Sequence, residues 1–474
     1  MIVVLFTRAF QEVRDGHTPL CLSGADRLDS LTCWSSCHPA QAGTADAWTS
    51  SPLAAKGAAP PWDGTYDTVL ICADSSSKLC VESGVDVQVV LLLLPMLLLS
   101  ALPVRAQIAV SANDATEIMV DGVHVMVPNA PPDTVTLIDM SARPPKIIAE
   151  LHAPSSWSGP PQMIAVTPDE SIALLSSSLK VNPADPTKTT QDNKISVIDL
   201  KSSPPAVIET LDAGLFPNGI AINAAGTLAL VTNRGDSTVS IYTIAGTRVA
   251  LAGSISLQDK TCGPSMPAFT PDGSTVYVTC TDTHKLAILS VTGTEVRDIG
   301  RFIVANLRPV GIEITPKGDL AIVANIGNGP TGGVDTLTVV DIASPNPRVV
   351  DSVAVGIIPE GLALSPKGDY VAVSLINGTS FPKSSPYHHD ANILKILRLT
   401  GSRLTPVAEA RVSPWCQGVA WSNDERTVVI QCMIEKQIEV FDFDGKKLTR
   451  MPSIKMSGGP ASIRTAWRPL SRPR

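Results

Sequence analysis

The sequence predicts an all-β protein, a seven-bladed β-propeller of four-stranded antiparallel blades formed by residues 107–474. Two observations predict this fold: a phrase that recurs along the chain, and short apolar strands separated by Gly, Pro and Asp turns. The chain is 44% hydrophobic and 17% charged, so it can bury a large core. Its net charge of −7, without a run of Lys or Arg, argues against a nucleic-acid partner.

The recurring phrase has the form Pro-x-Gly-Ile-x-Ile-x-Pro-x-Gly and is followed by a short apolar strand. Its copies begin at Pro161, Pro217, Pro264, Pro309, Pro359, Cys416 and Pro460. A spacing of about 50 residues is typical of propeller blades. The strands are apolar on both faces, so each blade must stack on its neighbours.

The ends of the chain are expected to share one blade. Six copies of the phrase are complete, whereas the copy at Pro460 stops close to the C-terminus. The segment ahead of the first copy contains candidate strands at Ile118–Val120, His124–Val127 and Thr134–Ile138. We expect the C-terminal strand to join them, close the ring and remove the exposed sheet edges. A ring of six or eight blades is the alternative if one of these assignments fails.

A hydrophobic segment at residues 88–106 precedes the repeats. Its apolar run is shorter than the ~20 residues of a membrane span, and it ends in Val104-Arg105-Ala106, a pattern typical of signal-peptidase sites. We interpret the segment as signal-peptide-like, with a membrane anchor as the alternative. Its internal position implies that residues 1–87 are a non-native or disordered extension. We therefore expect a periplasmic or secreted protein, without a stable membrane span in its mature form.

Strand sequences within the repeats carry a family resemblance. Ala229-Leu230-Val231-Thr232-Asn233, followed by Thr238-Val239-Ser240-Ile241, resembles the YVTN-type repeat, and Val276–Cys280 and Ala321–Asn325 are variants of it. The chain is similar to the YVTN-repeat, lactonase-like seven-bladed β-propeller family, a WD40-like repeat architecture. The resemblance implies the fold. It leaves the function open, because the family includes lactonases, surface-layer proteins and subunits of redox enzymes.

The second residue of each copy is expected at the mouth of the central channel. These residues are Gln162, Asn218, Ser265, Val310, Glu360, Gln417 and Ala461. A single carboxylate, Glu360, among amides and a hydroxyl could bind a polar ligand or hold a water as a general base. The alternative is a hydrated channel lined by small polar residues.

The lactonase resemblance adds candidate catalytic residues. Lactonases of this kind use a carboxylate with Arg and His around the channel mouth, which implies Arg234, His284 and Arg308 as partners of Glu360. Their role would be to polarise a lactone carbonyl and hold the developing oxyanion. The loops that carry them open either on the rim of Glu360 or on the opposite rim. Ordinary loop residues are the alternative interpretation.

Four cysteines follow the signal-like segment. Cys416 and Cys432 flank a turn symmetrically, and Cys262 and Cys280 flank another turn nearly as well. A hairpin at each turn would place the two cysteines opposite each other, so we expect two disulfides. Such pairs suit an oxidising compartment. Buried free thiols are the alternative.

The longest insertion, Ser374–Asn392, contains Tyr387-His388-His389-Asp390. Adjacent histidines point different ways and seldom share a metal, so we predict no metal site and a loop that gates or recognises a ligand. The repeats hold no Cys-x-x-Cys-His haem-attachment sequence and no phosphate-binding Gly-rich loop, so no cofactor is expected. Cys33-x-x-x-Cys37-His38 has the wrong spacing for haem and precedes the signal-like segment.

Two functions follow from the sequence. The first is a binding scaffold that presents loops on one rim to a protein or to a small polar ligand. The second is a lactonase-type hydrolase that opens a cyclic ester at the channel mouth, and a subunit of a redox complex is a third. The sequence leaves open whether the protein is an enzyme, and it is compatible with a monomer.

Overall fold

The computed structural model describes residues 107–156, 161–329 and 331–469, together with three short strands nearer the N-terminus. The chain divides into two compact units, residues 1–104 and 105–474. In the first unit, strands β1 (Cys21–Leu22), β2 (Ile71–Ala73) and β3 (Leu79–Val81) form a sheet in the order β1-β3-β2. The predicted signal-like segment, residues 88–106, lies outside the described residues, which continue from Gln107.

The second unit is a set of seven four-stranded antiparallel sheets. The strands ahead of the first complete blade are β4 (Ile108–Asp114), β5 (Glu117–Val120), β6 (Val123–Met126), β7 (Thr134–Asp139) and β8 (Lys146–His152). Blades 1 to 3 follow as β9 (Ile164–Val166), β10 (Ile172–Asn182), β11 (Asp185–Asp199), β12 (Ala206–Asp212); β13 (Pro217–Ile222), β14 (Leu228–Asn233), β15 (Thr238–Ala245), β16 (Arg248–Ser256); and β17 (Pro264–Phe269), β18 (Thr275–Cys280), β19 (Lys285–Thr292), β20 (Glu295–Val304).

Blades 4 to 6 repeat this arrangement, with the first strand of each innermost. They are β21 (Pro309–Ile314), β22 (Leu320–Asn325), β23 (Asp335–Asp341), β24 (Arg348–Gly356); β25 (Pro359–Leu364), β26 (Tyr370–Leu375), β27 (Asn392–Thr400), β28 (Arg403–Val412); and β29 (Cys416–Trp421), β30 (Thr427–Cys432), β31 (Gln437–Phe443), β32 (Leu448–Lys455). The last strand is β33 (Gly459–Thr465). Each blade is joined to the next by one connection, as the repeat predicts.

Blade 7 closes the ring by combining the two ends of the unit, in the order β33-β4-β7-β8. Gly459 pairs with Asp114 at one end of β33, and Thr465 pairs with Ala109 at the other. The innermost strands of neighbouring blades contact one another all the way round, from β9 through β33 and back to β9. Both the number of blades and the closure by the C-terminal strand are therefore confirmed.

Two strands predicted for blade 7 belong elsewhere. The segments predicted at Ile118–Val120 and His124–Val127 form a separate hairpin, β5–β6, that is inserted between β4 and β7. Most of this hairpin is exposed, whereas β4 is almost entirely buried. A blade packed on both faces needs the buried strand, so β4 takes the place that the hairpin was expected to fill.

The hydrophobic cores lie between adjacent blades. Every residue of the second strand β14 is buried, whereas in the outermost strand β16 only Val249 is buried and the other residues are half-buried or exposed. Leu230 and Val239 of blade 2, for example, pack in one cluster with Val278 and Leu289 of blade 3. Each sheet thus buries both faces only by stacking, which explains why the blades form a closed ring.

The propeller has two unlike rims. We call the rim at which the innermost strands begin the upper rim, and the opposite one the lower rim. On the lower rim, a Thr, Ser or Asn begins each of six similar turns between first and second strands, and its side chain accepts the N–H five residues later. The insertions lie on the upper rim: hairpin β5–β6, the far ends of β10 and β11, and loops 326–334 and 376–391. The loops and hairpins that differ from blade to blade therefore lie mainly on the upper rim.

Both predicted disulfides are present. Cys262 is bonded to Cys280 in blade 3, and Cys416 to Cys432 in blade 6. Each joins the beginning of an innermost strand to the end of the second strand, so both lie at the upper rim. Paired cysteines suit an oxidising compartment. Within the described residues, no helix is long and apolar enough to cross a membrane.

A buried carboxyl group, Asp114, and a half-buried one, Asp133, hold the base of the β5–β6 hairpin. Asp114 Oδ1 accepts the N–H of Thr116 at 2.6 Å and of Glu117 at 3.2 Å. Asp133 accepts the N–H of Ala115 at 2.8 Å and of Ser155 at 3.1 Å. Burial, together with the nearby Asp133 charge, raises the pKa of Asp114 to about 7. In the folded protein Asp114 therefore keeps its proton well above its ordinary value of 3.8.

We expect Asp114→Asn to stabilise the protein above pH 7. The folded state holds a proton on Asp114 that the unfolded chain loses near pH 4, so wild-type stability falls as pH rises from about 4 to about 7. The asparagine keeps an acceptor oxygen and removes this dependence, for a gain of about 1 kcal/mol or more at pH 8. Thermal unfolding at pH 5 and pH 8 measures it, with Asp390→Asn, whose side chain is 91% exposed, as the control. The prediction would be contradicted if the melting temperatures of the wild type and D114N changed equally between pH 5 and pH 8.

Candidate functional site

Glu360 lies at the upper mouth of the channel, where the innermost strand β25 of blade 5 begins. Gln417, at the corresponding position of blade 6, forms a hydrogen bond with its carboxylate. Burial raises the pKa of Glu360 to about 7, against the bond from Gln417 and the positive charge of Arg308, which both lower it. The group therefore changes its charge near neutral pH, which is where a general base is most useful.

Arg308 owes its position to a backbone feature that recurs around the ring. It precedes the innermost strand β21 and has a left-handed backbone, with φ of +58°. The residues at the same place in three other blades, Phe216, Ile358 and Trp415, share this conformation. The Arg308 carbonyl accepts the N–H of Ile326 at 3.0 Å, which ties the start of the first strand to the end of the second. This hydrogen bond fixes the backbone of Arg308 at the position from which the guanidinium charge acts on Glu360.

The predicted residues Arg234 and His284 lie on the same rim as Glu360, which settles the question of the rims that the sequence left open. The register places the end of each second strand beside the beginning of the first, as in the pair Pro217 and Asn233. His284 Nδ1 accepts the backbone N–H of Arg308 at 3.2 Å. His284 therefore holds Arg308 in place. A catalytic role for Arg234, His284 and Arg308 stays a prediction.

Arg234 makes its contacts within blades 2 and 3. It donates to the Gly263 carbonyl at 2.9 Å and forms a salt bridge with Asp282 at 2.7 Å. Of the three predicted partners of Glu360, Arg308 is thus the one whose charge acts on it, and His284 supports Arg308.

The other polar residues predicted at the channel mouth are buried: Gln162, Asn218, Ser265 and Gln417. Gln162 reaches across the channel, where its Nε2 donates to the Leu362 carbonyl at 3.1 Å and to Glu313 Oε1 at 3.3 Å. The side-chain oxygens of Gln162, Asn218 and Gln417 are buried and have no hydrogen-bond partner among the described atoms. Buried acceptors of this kind are available to the donors of a ligand or of water.

The insertions partly cover the upper mouth. Met119 of the β5–β6 hairpin packs against a cluster that includes Trp415 and Ala461, which lie where the innermost strands of blades 6 and 7 begin. The tip of the hairpin meets loop 376–391, because Asp121 accepts the backbone N–H of Lys383 at 2.7 Å. The hairpin therefore extends over the channel mouth toward blade 5, the blade of Glu360.

One histidine of loop 376–391, His388, makes its contacts within the loop. His388 Nδ1 lies 2.9 Å from the Phe381 carbonyl oxygen, and its Nε2 lies 3.4 Å from Asp390. In the part of the chain that the structure describes, no three His, Cys, Asp or Glu side chains are grouped so that they could hold a metal ion.

One pair of channel residues was missed from the sequence. The fifth residue of each copy of the repeat faces the lower half of the channel, and these residues are Ala165, Ala221, Ala268, Glu313, Ala363, Ala420 and Arg464. Arg464 and Glu313 form a salt bridge at 2.5 Å. Comparison of the copies at their fifth position, rather than only at their second, would have found both.

Known structures share this fold. Neither the protein-family models nor the curated proteins contain a match to the chain. A periplasmic gluconolactonase from Pseudomonas aeruginosa is 13% identical with a TM-score of 0.55, over 76% of this chain and 99% of that one. A proposed 6-phosphogluconolactonase from Bacteroides fragilis is 13% identical with a TM-score of 0.58, over 77% and 99%. A protein of unknown function from Desulfotomaculum acetoxidans is also 13% identical, with a TM-score of 0.56, over 77% and 100%.

Two of these structural neighbours are a lactonase and a proposed lactonase, and the likeness confirms the seven-bladed propeller fold that the sequence resemblance implied. Identity this low shows the fold alone, because the same propeller supports different activities.

Proposed function

We propose that the protein is a periplasmic or secreted binding propeller that uses its upper rim to hold a protein partner. The observation that carries this proposal is that the insertions of the described chain lie on the upper rim and expose large apolar side chains. Those at least 38% exposed are Ile118, Val120, Val123, Val125, Val181, Val334 and Tyr387. Exposed apolar groups that lie close together are typical of protein interaction sites, and on the β5–β6 hairpin Ile118 is paired with Val125 and Val120 with Val123. The two disulfides support an extracytoplasmic location.

The β5–β6 hairpin is the most favourable element for such contacts. Met119 anchors it to Trp415 and Met433, while Val120 is 51% and Val123 is 60% exposed. A fixed element that displays apolar side chains loses little conformational entropy when a partner binds. The hairpin is therefore the first place to test.

We expect the double substitution Val120→Asp and Val123→Asp to weaken partner binding at least 10-fold, because it places charge on the displayed apolar surface. Immobilised wild-type protein captures partners from the periplasmic or secreted fraction, and binding is then measured with each purified partner. Leu251→Asp, on the outermost strand of blade 2 and 53% exposed, is the matched control. Partner binding that survives in the hairpin variant, or falls equally in L251D, would count against the upper rim.

A second function, lactone hydrolysis at the upper mouth, is favoured by one observation. The pKa of Glu360 is raised to about 7, and Arg308 carries a positive charge nearby. Such a carboxylate is suited to activate a water, and the guanidinium to stabilise the oxyanion that forms when water attacks a lactone carbonyl. Opening of the ring then moves the proton from the attacking water, through Glu360, to the leaving oxygen.

If the protein is a hydrolase, a panel of aliphatic and sugar lactones should include a substrate that the wild type opens and that Glu360→Gln opens at least 100-fold more slowly. The rate should rise with pH through about 7, because the base acts in its deprotonated form. Glu409→Gln, in the same blade and 64% exposed, is the control. No turnover by folded wild-type protein would exclude this function and leave the binding propeller.

A further inference from the structure

The lower half of the central channel contains a cavity that neither function uses. Its volume is about 160 Å³, and all seven innermost strands line it. Its walls are mainly apolar, with Ile164, Ile220, Met266 and Phe269 among them. A dry cavity of about 150 Å³ in another protein holds one benzene molecule. The space is thus comparable to a single six-membered ring.

The cavity exists because one position of the repeat is small. The fifth residue is alanine in five blades, and these five alanines surround the two exceptions, Glu313 of blade 4 and Arg464 of blade 7. The Glu313 and Arg464 side chains are 13% and 19% exposed. A charged pair at the edge of a largely apolar cavity costs desolvation energy, which a ligand with matching charges would offset.

The guanidinium of Arg464 has N–H groups that make no hydrogen bond among the described residues. The bond to Glu313 is the only hydrogen bond that the Arg464 side chain makes among the described residues, although a guanidinium carries five N–H groups. Gln162 also donates to Glu313, and its own Oε1 is buried without a partner. The cavity wall therefore offers free N–H donors on Arg464 and an acceptor in the Glu313 carboxylate, whereas the enclosed Gln162 Oε1 does not line the cavity.

The segment after β33 forms part of the entrance. Trp467 and Arg468 line the cavity. Arg468 is held in place, because its Nε donates to the Pro168 carbonyl at 2.9 Å and it pairs with Glu170 at 3.1 Å. This anchoring keeps the Trp467 indole at the mouth, where a flat ring can contact it.

We propose that the lower channel is a binding site for a small cyclic hydroxy acid. Its carboxylate would pair with the free N–H groups of Arg464, its hydroxyl would donate to Glu313, and its ring would pack among the alanines. A planar carboxylate matches the fork of donors on an arginine, which favours an acid over a neutral ring.

The test uses the purified full chain, isothermal titration calorimetry and two probes of one shape, 4-hydroxybenzoate and 4-hydroxybenzamide. Wild-type protein binds the acid at least 10-fold more tightly than the amide, because a hydrogen bond to a charged group is the stronger kind. Arg464→Gln abolishes this preference. Arg297→Gln, an exposed arginine on the outermost strand of blade 3, leaves it unchanged.

Glu313→Gln separates loss of the site from loss of folding, because it keeps Arg464 and removes the competing carboxylate. It binds the acid at least as tightly as the wild type does. Equal affinity of wild-type protein for acid and amide, loss of acid binding in folded E313Q, or an undiminished preference in folded R464Q overturns the proposal. If R464Q does not fold, the proposal is tested by the preference of the wild type for the acid over the amide and by the affinity of E313Q for the acid. Neither upper-rim test depends on this cavity.

Discussion

Replacing Gly361 by alanine is expected to lower the free energy of unfolding by about 3 kcal/mol. A Cβ atom added there would lie 1.8 Å from the backbone oxygen of Gln417 and 2.9 Å from its carbonyl carbon. Both atoms belong to the backbone of the neighbouring innermost strand, so they cannot rotate away as a side chain would. The strands of blades 5 and 6 would have to separate at the channel wall, beside Glu360.

Gly311→Ala is the matched control, because Gly311 occupies the same position of the repeat in blade 4. The nearest atom to a Cβ there is 3.5 Å away, an ordinary van der Waals contact. Urea unfolding followed by tryptophan fluorescence should therefore show a large loss for G361A and a small effect for G311A. Equal losses in the two variants would mean that the close approach of the strands does not determine the cost.

The fold could be predicted because the evidence for it is repeated. Seven copies of one phrase limit the number of blades, and the truncated copy at Pro460 indicates how the ring closes. The disulfides were predicted for a similar reason: Cys416 and Cys432 are in register across one hairpin. Errors occurred where the repeat gave no guidance, as in the β5–β6 hairpin, whose alternating residues look like blade strands although they lie outside every blade.

The candidate site was harder to predict because its members come from different blades. Glu360, Arg308 and His284 were each identified, but only the pairing register shows that they share a rim and that His284 acts on the Arg308 backbone. The Glu313–Arg464 pair escaped notice because its two members lie three blades apart in the ring. Contacts across the channel depend on ring closure, which a local pattern does not encode.

Removing the disulfide of blade 6, by Cys416→Ala with Cys432→Ala, is expected to destabilise the protein by about 3 kcal/mol. The bond joins residues 16 apart and closes a loop of the size for which the chain-entropy account gives that value. Both cysteines are fully buried, and Cys416 directly precedes Gln417, the hydrogen-bond partner of Glu360. The loss should therefore loosen the start of β29 as well as lower the melting temperature.

The corresponding change in blade 3, Cys262→Ala with Cys280→Ala, separates these two effects. Its bond spans 18 residues, so the loss of stability should be similar, but it lies away from Gln417. Hydrogen exchange at the backbone amides of β29 should then increase more in the blade 6 variant than in the blade 3 variant. Adding a reductant should lower the melting temperature of the wild type further than that of either variant. A wild type whose melting temperature does not change with reductant would show that the bonds contribute nothing. Equal increases in exchange in the two variants would show that the blade 6 bond does not hold β29 locally and acts through the unfolded chain.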